Sequence, residues 1–116
     1  MKRSSKNLFV TALAAVFYVN APVALADTEK WIELHNMTGS VITNVFFAEI
    51  WSTKWSRDAL EGTIRQNRTK IVRIMSGACM IDMRVRYAND ARHDLRFDIC
   101  RAEHVDAMPT GLNVID

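Results

Sequence analysis

Cysteine is scarce in this 116-residue sequence: there are two, Cys79 and Cys100, and they form no Cys-x-x-Cys pair. Histidine is nearly as rare. His35, His93 and His104 stand at no i, i+4 spacing and no short strand spacing, so a zinc site built from them has no sequence support. The Gly-x-Ser-x-Gly elbow of a hydrolase is also missing, and a Ser–His–Asp triad would have little scaffold for a cleft in a chain this short. No internal repeat or low-complexity segment occurs. Nor is there an apolar run of the about 20 residues that a helix needs to span a bilayer; the longest, Leu8–Val19, has 12.

That short run sits inside a segment of recognisable build. MKRSSKNLFVTALAAVFYVNAPVALA begins with Lys2, Arg3 and Lys6, continues through the apolar run, and ends on Ala24-Leu25-Ala26, a small-x-small cleavage site. These are the three parts of a secretory signal peptide, which predicts residues 1–26 as leader, cleavage before Asp27, and a periplasmic or secreted product. Residues 27–116 then form one domain of 90 residues. The leader carries three of the 15 basic residues and none of the 13 acidic ones, leaving 12 against 13 and a formal net charge of −1. The sequence pI of 8.7 therefore reports mainly the leader. Nucleic-acid binding needs a concentrated positive field, which residues 27–116 lack.

Two cysteines in an exported chain read as one disulfide. A domain of about 90 residues has a marginal core, and closing a loop of this length stabilises it by roughly 3 kcal/mol in the chain-entropy model. The bond would join the ends of CMIDMRVRYANDARHDLRFDIC, where two runs alternate apolar with charged residues. Ile81, Met83, Val85 and Tyr87 share one face of a strand, and His93, Leu95, Phe97 and Ile99 one face of the next. Matching the faces predicts Tyr87 opposite His93, Val85 opposite Leu95, Met83 opposite Phe97 and Ile81 opposite Ile99, around a loop at Asn89-Asp90-Ala91. The outward face then sets Asp82 against Asp98, Arg84 against Arg96 and Arg86 against Asp94. The cysteines miss this register by one residue, which predicts a β-bulge between Phe97 and Cys100.

Elsewhere, Trp31–Ile50 reads as two strands around the turn residues Asn36-Met37-Thr38-Gly39, with a helix as the rival for Val41–Ile50. Ser56–Leu60 suggests one helical turn capped by Ser56 and ended at Gly62. Lys70–Met75 and Leu112–Ile115 suggest two more strands. Five or six short strands predict an all-β fold, a small antiparallel β-sandwich with one disulfide-tied hairpin.

The chemistry-bearing candidates lie mainly between these strands. Trp51 and Trp55 stand four apart in a polar loop with Lys54 and Arg57, and Arg65 and Arg68 follow. In a small sandwich a loop tryptophan more often folds back as a lid on the core, and that is the expectation for both. The competing reading makes Trp51, Lys54, Trp55, Arg57, Arg65 and Arg68 a partner-binding set, for an envelope protein or a glycan and without a cofactor. A reading of another class gathers Asp58, Asp82, Asp98 and a histidine into a metal-dependent or hydrolytic site, although ladder and cap roles suit these aspartates better. Asn36-Met37-Thr38 and Asn67-Arg68-Thr69 match the glycosylation sequon.

Taken together, several pieces carry a likeness. They are Asn36-Met37-Thr38-Gly39 before a strand, Trp55 with Asp58, Leu60 and Gly62, Cys79 with Asp82, Arg84 and Val85, and Asp98 with Cys100. In this order and spacing, Trp31 to Cys100 resembles a widespread group of small exported bacterial proteins of unknown function. The resemblance implies a compact β-rich exported domain and supplies no catalytic residue. Where that group usually has a serine-rich stretch and a Trp-Gly pair, this chain has Trp51-Ser52-Thr53-Lys54 and Trp55-Ser56. Where the group often has Asp-Gly in the hairpin turn, this chain has Asn89-Asp90.

Overall fold

The computed structural model describes residues 29–116; the predicted leader lies outside the described residues. Seven strands follow one another: β1 (Glu29–Asn36), β2 (Ile42–Glu49), β3 (Thr69–Met75), β4 (Met80–Tyr87), β5 (Arg92–Asp98), β6 (His104–Met108) and β7 (Gly111–Ile115). They form two sheets, ordered β3-β1-β6-β7 and β2-β4-β5, which pack face to face as a β-sandwich. No helix occurs among the described residues, so the expected turn at Ser56–Leu60 is absent.

Alternation explains most of the strands. In β1, Ile32, Leu34 and Asn36 point inward and Trp31, Glu33 and His35 outward; in β3, Val72 and Ile74 face the core while Ile71, Arg73 and Met75 do not. The buried residues of both sheets, among them Leu34, Val45, Ile74, Met83, Phe97 and Val105, make one contiguous core. Strand β2 breaks the alternation because a register shift between Ile42 and Asn44 inserts an extra residue. The shift puts Ile42 and Val45 on the buried side three residues apart; beyond it the register is regular, and Ala48, opposite Asp82, is buried as well.

Two connections differ from expectation. Strands β1 and β2 do not pair, because the chain crosses from one sheet to the other at Asn36–Val41. The tail holds an additional strand, β6, which lies parallel to β1 with Glu33 opposite His104 and His35 opposite Asp106. The other pairings are antiparallel.

The β4–β5 hairpin forms with the expected inward faces, two residues out of the expected register. Met83 lies opposite Leu95, Val85 opposite His93 and Ile81 opposite Phe97. The cause is a tighter turn. Tyr87 N donates to Ala91 O at 2.9 Å, Asp90 N donates to Tyr87 O at 3.0 Å, and Asp90 takes the left-handed conformation (φ 70°) of a three-residue loop. A shift of two preserves the faces but changes every cross-strand partner. Asp82 now faces Arg96 and Arg84 faces Asp94, replacing like-charged neighbours by bidentate ion pairs.

Cys79 and Cys100 are joined, with Cα atoms 5.2 Å apart, at the open end of this hairpin. No bulge brings them together. After Ile99 N bonds Cys79 O, the chain turns sharply: Asp98 O accepts from Arg101 N and Ala102 N, and Asp98 Oδ1 accepts from Cys100 N. This turn swings Cys100 back over Cys79.

Candidate functional site

The long segment between β2 and β3 carries most of the candidate residues, and the free edge of β2 fixes its path. Ser56 N donates to Phe47 O (2.8 Å) and its hydroxyl accepts from Phe47 N (3.0 Å). Ala59 N donates to Val45 O (2.7 Å), and Asp58 Oδ1 accepts from Val45 N (2.9 Å) and Leu60 N (3.0 Å) while Oδ2 accepts from Asn44 Nδ2 (2.8 Å). A strand edge otherwise open to another chain is thus closed from within. Buried Leu60 and Ile64 then pin the segment to the core, Ile64 pairing with Ile42.

Neither loop tryptophan is a lid. Trp51, at the turn that leaves β2, is 68% exposed. Trp55, 37% exposed, covers the charged outer face of the other strands, where the Arg84 guanidinium lies 4.2 Å from its ring centroid. The core is already closed by the two sheets, so the rings remain outside it.

Beside this loop runs a groove of about 750 Å³, between the loop and the outer face of β1 and β3, lined by Trp31, Phe47, Arg57, Ile71, Arg73 and Met75 among others. Met75 also lines an adjoining hollow with Lys54 and Trp55. Trp31, Ile71 and Met75 are exposed, as is Trp51. Cations rim the apolar floor: Lys54 and Arg57 from the loop, Lys70, whose ammonium donates to Glu61 O (2.7 Å), and Arg73, which stacks 5.6 Å from the Trp31 ring and pairs with Glu29. Arg65 and Arg68 are exposed farther along, in the turn before β3, where Arg68 O accepts from Asn36 N. The groove thus unites Arg57 with Trp31, Ile71 and Met75, which sequence patterning marks only as outward positions, and the adjoining hollow sets Lys54 and Trp55 beside Met75; Trp51 lines neither.

The three aspartates have separate partners. Asp58 closes the β2 edge, Asp82 pairs with Arg96, and Asp98 shapes the turn at Cys100. Of the sequon asparagines, Asn36 is fully buried and Asn67 is exposed with φ 62°. His93 Nδ1 lies 2.9 Å from the Tyr87 hydroxyl, whose burial pushes its pKa up to about 12. The Arg84 guanidinium, bonded to Asp94, holds that carboxyl below the usual range and is itself raised by the carboxylate.

One constellation escapes sequence reading. His35 and His104 stack at 4.4 Å between ring centroids, 10° from parallel, with Glu33 and Asp106 beside them. The histidines are far apart in sequence, and only the β1–β6 pairing brings them together.

No family model and no curated protein matches this chain. A solution NMR structure of a protein from Eubacterium rectale is similar in fold, with a TM-score of 0.50 at 12% identity, covering 76% of this chain and 87% of that one.

Proposed function

We propose that this chain is an exported interaction module, periplasmic or secreted after cleavage before Asp27, which acts by contact with another protein rather than by turnover. The leader-like N-terminus and the disulfide support export. The contact surface is the groove between Trp31, Ile71 and Met75 on one side and the Trp51–Arg57 loop on the other.

The observation that carries the reading is the grouping of exposed Trp31, Ile71 and Met75 in one groove, with Trp55 in the hollow that adjoins it through Met75, rimmed by Lys54, Arg57, Lys70 and Arg73. Clustered exposed apolar side chains mark interaction sites, and aromatic residues, methionine and arginine are the types enriched in protein interfaces. The rim favours an acidic segment of an envelope protein over a glycan, because Lys54, Arg57, Lys70 and Arg73 outnumber the carboxylates of Glu61 and Asp58 beside them, and Asp58 is already bonded to Asn44, Val45 N and Leu60 N.

Photo-crosslinkers placed at Trp51 and Ile71, and as a control at Arg96 on β5, test the proposal in the native envelope. A discrete protein adduct from the first two positions and none from the third is expected. Trp51→Ala should weaken capture at least ~30-fold, the equivalent of about 2 kcal/mol for an interface anchor, with thermal stability unchanged. Equal labelling from all three positions, or an adduct abolished by oligosaccharide, would refute it.

A further inference from the structure

The geometry points to a second site, on the outer face of β1 and β6: a divalent transition-metal site of the zinc class, with Glu33, His35 and His104 as ligands and Asp106 as the group that orients His35. Its basis is the parallel register. Residues two apart on a strand share a face, so Glu33 and His35 on β1 lie beside His104 and Asp106 on β6, four corners of a square above one sheet.

One ligand atom each from Glu33, His35 and His104 lie within 4.8 Å of one another. His35 Nε2 is 2.8 Å from Glu33 Oε1, and His35 Nδ1 is 3.1 Å from Asp106 Oδ1. Both ring nitrogens of His35 thus face carboxylate oxygens, yet a neutral imidazole carries one N–H and one lone pair. At one end a lone pair meets a carboxylate unless the ring carries a second proton or a metal ion takes that proton's place.

A second observation concerns the carboxylate on the other side of the His35 ring. Asp106 Oδ1 is buried and accepts no hydrogen bond, although His104 Nε2 also lies only 3.5 Å away. A buried acceptor without a donor is costly. Ligation through His35 Nε2 leaves the proton on Nδ1, the nitrogen facing Asp106, which is the carboxylate–histidine–metal arrangement that fixes ring orientation. Zinc–nitrogen and zinc–oxygen bonds of about 2.0–2.2 Å need the Glu33–His35 gap to open to ~3.3 Å in a tetrahedron, and Glu33 is exposed and free to move. A metal lies in the plane of each imidazole that binds it, so one of the two stacked rings, now 10° from parallel, also turns out of the stack on ligation.

Two imidazoles and a carboxylate select zinc or copper over calcium or magnesium, which take oxygen ligands. Three protein donors leave a coordination position toward solvent, open to water or to a donor from a partner.

Calorimetric titration of the full chain with Zn²⁺, after chelator treatment, should give one equivalent, unaffected by excess Ca²⁺. In NMR spectra, Zn²⁺ should move the imidazole resonances of His35 and His104 and leave those of His93 in place. His104→Ala should weaken binding at least ~100-fold, and Asp106→Asn ~10- to 100-fold; Cu²⁺ binding at the same two rings also supports the site. Absence of a saturable equivalent, equal perturbation of His93, or a carboxylate-bridged imidazolium at His35 indifferent to Zn²⁺ would overturn it. The imidazole readout uses the wild-type protein and does not depend on a variant folding.

Discussion

Replacing Asn36 by alanine should cost about 3 kcal/mol, although no part of the side chain is at the surface to bind anything. The residue is 0% exposed. Its Nδ2 donates to Ser40 O (2.8 Å) and Ile64 O (2.9 Å), and its Oδ1 accepts from Thr38 N (3.0 Å) and Thr38 Oγ1 (2.7 Å), so one amide holds the crossing from β1 to β2 against the segment before β3. Four hydrogen bonds, one buried and three part-buried, at a net ~1 kcal/mol each give an upper figure of about 4 kcal/mol. Some of this is recovered in the variant, since Ile64 O keeps its bond from Ile42 N and Ser40 O its bond from Thr38 Oγ1. Thr38 N loses its acceptor. With about 4–8 °C per kcal/mol for a domain of this size, the midpoint should fall by roughly 12–24 °C in a calorimetric or circular-dichroism melt. Asn36→Asp supplies a sharper comparison. It keeps the acceptor but turns a carboxylate toward two carbonyl oxygens, which raises the folded pKa of the introduced group above its unfolded value of about 3.9. The neutral form is favoured in the fold, so this contribution is present below about pH 4 and lost as pH rises through the raised value. Asn36→Asp should therefore be less stable than wild type at neutral pH and gain on Asn36→Ala as pH falls. A midpoint drop under about 4 °C for Asn36→Ala, or no pH-dependent difference between the variants, would refute the account.

Other expectations follow from the same geometry. Cys79→Ser with Cys100→Ser opens a 21-residue separation and should lower stability by roughly 3 kcal/mol, read as a shifted denaturant midpoint. Asp94 has a depressed folded pKa because Arg84 bonds it, so its contribution is present above the unfolded value near 3.9 and lost as pH falls through the depressed one; Asp94→Asn should flatten that acid limb in pH-dependent urea unfolding. Tyr87 is the only tyrosine among the described residues. With its pKa pushed up to about 12, its stabilising contribution is full below about pH 10 and lost as pH rises toward 12, so the ultraviolet tyrosinate signal should emerge late or together with alkaline unfolding.

What the sequence made legible was local. Alternation marks β1, β3, β4 and β5, and the two cysteines meet at the open end of the hairpin, through a turn and not through the bulge that their spacing predicts. The hairpin register was hidden because a three-residue turn and a five-residue turn bury the same faces. The charges held the missing information: only the shorter turn sets Asp82 against Arg96 and Arg84 against Asp94. Strand β6 was hidden for a different reason, since HVDAM has two small or medium inward residues, Val105 and Ala107, and depends on β1 and β7 for its structure. The exposed tryptophans, Trp51 and Trp55, could not be placed from composition, because a lid and an anchor use the same residue type. Asp58 resembles a candidate ligand in sequence, yet its oxygens close a strand edge that only the fold reveals. The His35–His104 pair was out of reach because no periodicity links residues in distant strands.

The parallel β1–β6 pair also sets an order of events for a chain delivered from its N-terminus. The first strand occupies an interior place in its sheet, and one of its neighbours arrives about 70 residues later. Until that late segment is threaded out, the early strand lacks half of its ladder, and every nascent intermediate carries an open seam. Such distant closure slows folding, so the order in which the strands become available, more than the propensity of any one of them, sets the pace at which this sheet is completed.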